Sequence, residues 1–222
     1  MKKFITCILI IAIFSAFVFY LGWNQFKIKP GQVGIVVSKT DGVLPDPVEN
    51  GKSSWNWQFL LPTNAKLITF TIEPYSGEKT VKGQLPSGQT YTAIFNNSDN
   101  FEYFFRFSIS LTLTPENLLS LYKNNKITKQ EDLQNYLSNA ADTIAQLAAR
   151  YYLEKLQTNP SFVIESVRRE DLLRSIRLYE DCPEVDLMTF ALKESKVPDY
   201  ALYKNLQNKY FTNQTEIEQV EE

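Results

Sequence analysis

The sequence predicts an α+β fold behind an N-terminal membrane helix, and three observations predict it. An apolar run fills Phe4 to Trp23, strand-like segments follow as far as Pro115, and helical spacing takes over beyond it. Strands grouped before helices, without alternation, imply an antiparallel sheet with the helices segregated from it.

The first element is the apolar run. Lys2 and Lys3 precede twenty uncharged residues, about the length that crosses a hydrocarbon core as a helix. Tyr20 and Trp23 fall where an interfacial aromatic belt belongs. A cleaved signal would have a shorter apolar region, roughly 7 to 15 residues, closed by small residues. Here bulky Phe17, Val18, Phe19 and Tyr20 occupy that end, so residues 1–27 read as an uncleaved single-pass anchor. The amino terminus, Lys2 and Lys3 outweigh Lys27 and Lys29, which biases the soluble part toward the extracytoplasmic side. Cys7, early in the run, reads as a small apolar helix residue.

Strand signals come next. In "IKPGQVGIVVSKTDG", Ile28 to Gly42, Val33, Ile35 and Val37 alternate with Gly34, Val36 and Ser38, a half-buried strand closed by a turn. Pro30 stiffens the exit from the anchor, and Gly31 and Gly34 permit a tight turn or a close approach. "KLITFTIEP" (Lys66 to Pro74) and "TYTAIF" (Thr90 to Phe95) are also β-rich, the second after the turn-like "PSGQ" at Pro86 to Gln89. The clearest strand is "FEYFFRFSISLTLTP". Its Tyr103, Phe105, Phe107, Ile109, Leu111 and Leu113 alternate with largely polar residues, so one face is greasy and the other wet.

Pro115 ends that strand and, with Thr114 as cap, opens a short helix over "TPENLLSLYKN". A long helix near residues 131–156 carries Leu133, Leu137, Ala140, Ile144, Leu147 and Tyr151 in one stripe, which is expected to be core. A third helix is expected from Phe162 to Tyr179, after Pro160 and the candidate cap Ser161. "VDLMTFAL" (Val185 to Leu192) returns to strand, and residues 200–222 form a short helical tail ending in the acidic "EIEQVEE".

Composition narrows the chemistry. There is no histidine, and Cys7 and Cys182 are the two cysteines, so neither a disulfide framework nor a Cys/His zinc site can assemble within one chain. Setting aside Lys2 and Lys3 leaves 21 basic against 25 acidic side chains, a charge of −4, which suits nucleic acid poorly. The arginine-rich "VRREDLLRSIR", Val167 to Arg177, is interrupted by Glu170 and Asp171 and reads as a solvated face. Ser120 to Lys123 (Ser-x-x-Lys) and Ser98 to Asn100 share motifs with penicillin-recognising serine enzymes, but in reversed order and with no Lys-Thr-Gly. Asp41, Asp46 and Glu49 lack the spacing of a calcium loop. The expectation is a non-enzymatic protein with no catalytic, cofactor or metal residues, and with a binding surface that no single residue identifies.

The order of elements resembles the stomatin/prohibitin/flotillin superfamily, the SPFH or band 7 proteins. The resemblance rests on "IKPGQVGIVVSKTDG", on the apolar-Pro segment "WNWQFLLP" (Trp55 to Pro62), and on "FEYFFRFSISLTLTPENLLSLY" (Phe101 to Tyr122). The helix around "DTIAQLAARYYLEK" and "VDLMTFALKESKVPD" complete it. Ser53, Ser54 and Trp55 stand where a glycine usually precedes the apolar-Pro segment, and the long coiled coil of many members is reduced to residues 200–222.

The resemblance implies an SPFH-like domain over residues 28–199 between anchor and tail. It also implies a membrane scaffold that self-associates into a homo- or hetero-oligomer, organises lipids and membrane proteins, and restrains a membrane protease as some members do. The residues also admit a monomeric anchored module whose aromatic-rich interior encloses an apolar ligand or peptide.

Overall fold

A computed structural model describes residues 2–23, 28–52, 56–61, 63–96, 101–176 and 182–221. It is mixed α+β, with antiparallel strand pairing and an N-terminal apolar helix, α1 (Lys2–Trp23). At 1.5 Å per residue α1 is about 33 Å long. The helix is long and apolar enough to cross a membrane, and no part of its apolar window is buried. The chain divides into two compact units. The first holds Met1–Pro74, Thr112–Tyr136 and Glu184–Asp186, and the second Tyr75–Leu111, Leu137–Pro183 and Leu187–Glu222.

In the first unit, β1 (Gln32–Ser38) is the central strand. β4 (Ala65–Thr71) pairs with its full length, from Gln32 opposite Thr71 to Ser38 opposite Ala65. Two short strands, β2 (Gly42–Val43) and β3 (Val48–Glu49), share its other edge. Both faces of β1 are therefore covered: Val33, Ile35 and Val36 are buried alike, which corrects the half-buried expectation. Gly31 turns into the strand at φ +78°, and a Cβ on Gly34 would lie within 2.6 Å of Leu67 Cδ1 and 2.7 Å of Ile28 Cδ1. Those two side chains close over the strand because Gly34 has none.

The segment after β3 is pinned by polar bonds. Asn56 caps a 3-10 turn, η1 (Trp57–Leu60), accepting from the Gln58 N–H at 3.0 Å. The Gln58 side chain is buried and meets Thr40 and Asp41, while Asn64 donates to Ser38 Oγ and Gln58 Oε1 at 3.4 Å. Burying these groups is tolerable because each finds a partner. α1 lies against η1. Ser53 to Trp55 and Pro62 lie outside the described residues, so that part of the apolar-Pro segment has no structural counterpart here.

α3 (Pro115–Lys123) begins as the sequence predicts, with Thr114 Oγ1 accepting from the Asn117 N–H at 3.2 Å. α4 (Gln130–Thr158) begins with Asp132 reaching back to accept from the Thr128 hydroxyl at 2.6 Å and from the N–H groups of Thr128 and Lys129; these donors, the hydroxyl first, hold its carboxyl below the usual carboxylate range. Gln130 acts as an extra strand residue, exchanging hydrogen bonds of 2.9 and 3.0 Å with the Thr71 backbone.

The second unit is built on β5 (Tyr75–Gln84), β6 (Glu102–Thr112) and β7 (Asp186–Lys196), in that order across the sheet. β6 alternates as expected, with Phe105, Phe107, Ile109 and Leu111 fully buried. β5 has no counterpart in the sequence reading, because "YSGEKTVKGQ" is charged and carries two glycines that mask its period. It pairs antiparallel with β6 along its whole length, Lys79 opposite Phe107 and Gly83 opposite Tyr103.

The "TYTAIF" expectation is overturned. It lies in a helix, α2 (Gly88–Phe95), despite its β-branched residues. Tertiary contact overrides propensity here. Tyr91 is buried against Tyr203 and Tyr210, at centroid distances of 5.7 and 5.5 Å, and both belong to the last helix, α6 (Tyr200–Glu221). Tyr203 also donates to the Pro86 carbonyl at 2.7 Å and packs on Phe101. Tyr200, Tyr203 and Leu206 thus bury the start of the tail in this unit's core.

The expected third helix is broken into a 3-10 turn, η2 (Ile164–Ser166), and a short helix, α5 (Arg169–Ser175). Val167 is extended between them, at φ −73° and ψ 122°, as suits a β-branched residue. Ser161 does not cap a helix; its N–H donates to Asn159 Oδ1. Arg177 to Asp181, including the expected end at Tyr179, lie outside the described residues.

Glu184 provides the acid-sensitive contact of the first unit. It accepts from Lys126 at 2.6 Å and Tyr136 at 2.8 Å. Burial disfavours its charge, but these two donors outweigh that and hold its carboxyl below the usual glutamate range. The stabilisation is therefore complete above the unfolded value, about 4.3, and is lost as pH falls through the lower folded one. Urea midpoints of the wild type and Glu184→Gln should differ at pH 7 and converge near pH 3. A gap unchanged at pH 3 would show that Glu184 is not held in this way.

Candidate interaction groove

α4 forms the wall of a candidate site. Its buried residues in the second unit are Leu137, Ala140, Ala141, Ile144, Ala145, Ala148, Ala149, Tyr152 and Leu156. This is not quite the stripe the sequence suggests. From Ile144 onward the buried face follows the alanines, because they let the helix approach the aromatic rings of β6. Tyr152 then lies nearly parallel to Phe107 and Phe105, at centroid distances of 6.3 and 5.8 Å, and burial pushes its hydroxyl up to about 12. Leu147 and Tyr151, expected in the core, are displaced to the flank and are only half-buried.

That displacement leaves a groove of about 670 Å³. Its helical wall is Thr143, Leu147, Arg150, Leu153, Glu154 and Gln157, spaced three and four apart on one face of α4. Its other wall is Thr80, Val81 and Lys82 of β5, with Tyr103 at the base. Consecutive strand residues point to opposite faces of a sheet. Three in a row can line one groove only where it opens along the strand's edge, and β5 is the end strand of its sheet. The groove thus combines a free strand edge with a helix face.

Electrostatics divide the groove. Lys79 is engaged beneath it, 2.6 Å from Asp142 Oδ2 and 2.9 Å from Ser138 Oγ. Burial works against its charge, but the bonds to Asp142 and Tyr75 outweigh it and hold the ammonium above the ordinary lysine range. Lys82 and Arg150 are exposed and form no ion pair among the described residues. Glu154, one turn beyond Arg150, is exposed as well.

The residues weighed for chemistry do not converge. Ser120 and Lys123 end α3, and Ser98 to Asn100 lie outside the described residues. Asp41 accepts from Gln58, Glu49 pairs with Lys52 at 2.5 Å, and Asp46 is exposed. Among the described residues, no group of three acidic or thiol side chains is placed to hold a metal ion.

A relative spans most of the chain. The protein is 24% identical over 202 residues to an uncharacterized protein of Treponema pallidum (strain Nichols), covering 88% of this chain and 67% of that one. No family model matches the chain. A match of that length cannot be confined to α1, so the similarity extends into the folded units.

The groove was not legible in the sequence, since it depends on an unrecognised strand and on a helix face taken for core. The available signal was Arg150, which sits three residues beyond Leu147 and makes that side of the stripe amphipathic. Truncating Leu147 should accordingly cost about 1 kcal/mol or less, whereas Ile144→Ala should cost about 2–5 kcal/mol. Denaturant unfolding of both variants checks this, and equal losses would return Leu147 to the core.

Proposed function

We propose that this protein is a non-enzymatic, membrane-anchored scaffold of the stomatin/prohibitin/flotillin kind, which works through protein contacts made by its folded units. The observation that carries the reading is the groove beside β5, where a free strand edge and an amphipathic helix face stand together. Exposed strand edges are sites of pairing with other chains, and natural folds cover or charge those they do not use. Lys82, Arg150 and Glu154 bring charge to this one, with the two cations at one end.

α1 supports the anchoring. In the same unit Trp57 and Leu61 are 49% and 46% exposed, close to the turn that α1 touches. Aromatic and aliphatic side chains of this kind suit the membrane interface. Anchoring confines the units to two dimensions, where weak repeated contacts add to stable assemblies. An extracytoplasmic position of the units, lipid organisation and restraint of a membrane protease belong to the same proposal, through the resemblance of layout.

The groove also favours a second reading, a monomeric anchored module that binds a peptide. Native mass separates the two. Full-length protein in mild detergent should run as a large oligomer, and a form lacking residues 1–27 should be much smaller or dissociate on dilution. A monomer or dimer in both would end the scaffold reading and leave the binding module.

A further inference from the structure

We infer that the groove between β5 and α4 binds an extended, acidic segment of a partner protein, which adds as a strand to the β5 edge. The inference deepens the protein-contact reading above and rests on it.

Three features select this occupant. β5 is ten residues long, about 33 Å of strand, and is the end strand of its sheet among the described residues, so alternate backbone groups along it face outward without a strand partner there. Such an edge recognises the backbone of another extended chain, and the groove beside it sorts its side chains. The walls define what is sorted. Val81, Leu147 and Leu153 are half-buried and offer an apolar contact, which an alternating apolar residue of the segment would fill. Lys82 and Arg150 stand at the rim with no ion pair among the described residues, and they complement carboxylates on the segment. A guanidinium receives a carboxylate through two parallel hydrogen bonds, which makes Arg150 the more selective of the two. Glu154 lies one turn further along and would repel an acid placed there, which limits the acidic positions to the Arg150 end.

The test uses full-length protein in detergent micelles and a phage-displayed library of random nonapeptides. Selected sequences should alternate apolar and polar residues and carry Asp or Glu. A synthetic copy should bind Leu147→Glu and Arg150→Glu protein at least tenfold more weakly. Methylating its backbone amides one at a time should abolish binding at every second position, the signature of a strand ladder. Circular dichroism confirms that each variant is folded; should Leu147→Glu fail, Arg150→Glu carries the test, since Arg150 is exposed.

Three results overturn the proposal: no enrichment over empty beads, binding indifferent to both substitutions, or methyl effects without the period of two. If instead no peptide is selected and the two substitutions disperse the native oligomer, the groove is filled by a second copy and the proposal fails. Groove-dependent peptide binding by a monomeric protein would sustain this inference while removing the scaffold.

Discussion

The contact between the alanine face of α4 and the aromatic face of β6 governs the second unit. Phe105 and Phe107 present broad rings, and Ala141, Ala145, Ala148 and Ala149 offer only methyl groups, so the helix approaches closely. Close-packed interiors leave few voids, so every larger residue must find space to the side. Tyr152 does so by lying over both rings. Leu147 and Leu153 cannot, and they become the wall of the groove. The groove therefore exists because of how the core packs.

A second constraint acts on the first unit. β1 is buried on both faces, and the segment after β3 is held near its end by polar bonds. The stretch after β3 could not be held by apolar contact alone, since it exposes Trp57 and Leu61. Hydrogen bonds donated to Gln58 by the Thr40 hydroxyl and by the Asn64 amide hold it instead. Their geometry has few alternatives, and this fixes η1 where α1 meets it. The polar network and the apolar helix α1 are thus linked through one turn.

Both constraints tie polar side chains to partners inside the units. Lys79 and Glu184, both partly buried, are committed to partners within their own units. At the β5 edge, Lys82 and Arg150 form no ion pair among the described residues. Groups of this kind recognise another chain more readily than they transform a substrate, which is why the functional reading centres on contact.

The sequence by itself determined the elements whose signal is local. The α1 run, the alternation of β6, the Thr114-Pro115 cap and the period of α4 depend on neighbours within a few residues, and each is visible without the fold. Tertiary structure decided the rest. Thr90 to Phe95 prefer a strand, yet Tyr91 is worth more buried against Tyr203 and Tyr210 of α6, more than a hundred residues away, and the segment coils to deliver it. β5 is hidden by its charges and glycines, and only the ladder to β6 reveals it as a strand. Leu147 has the right period for the core, but only the width of the aromatic sheet beneath α4 determines that the alanines take that place. Periodicity fixes which residues share a face, and long-range packing fixes which face is buried.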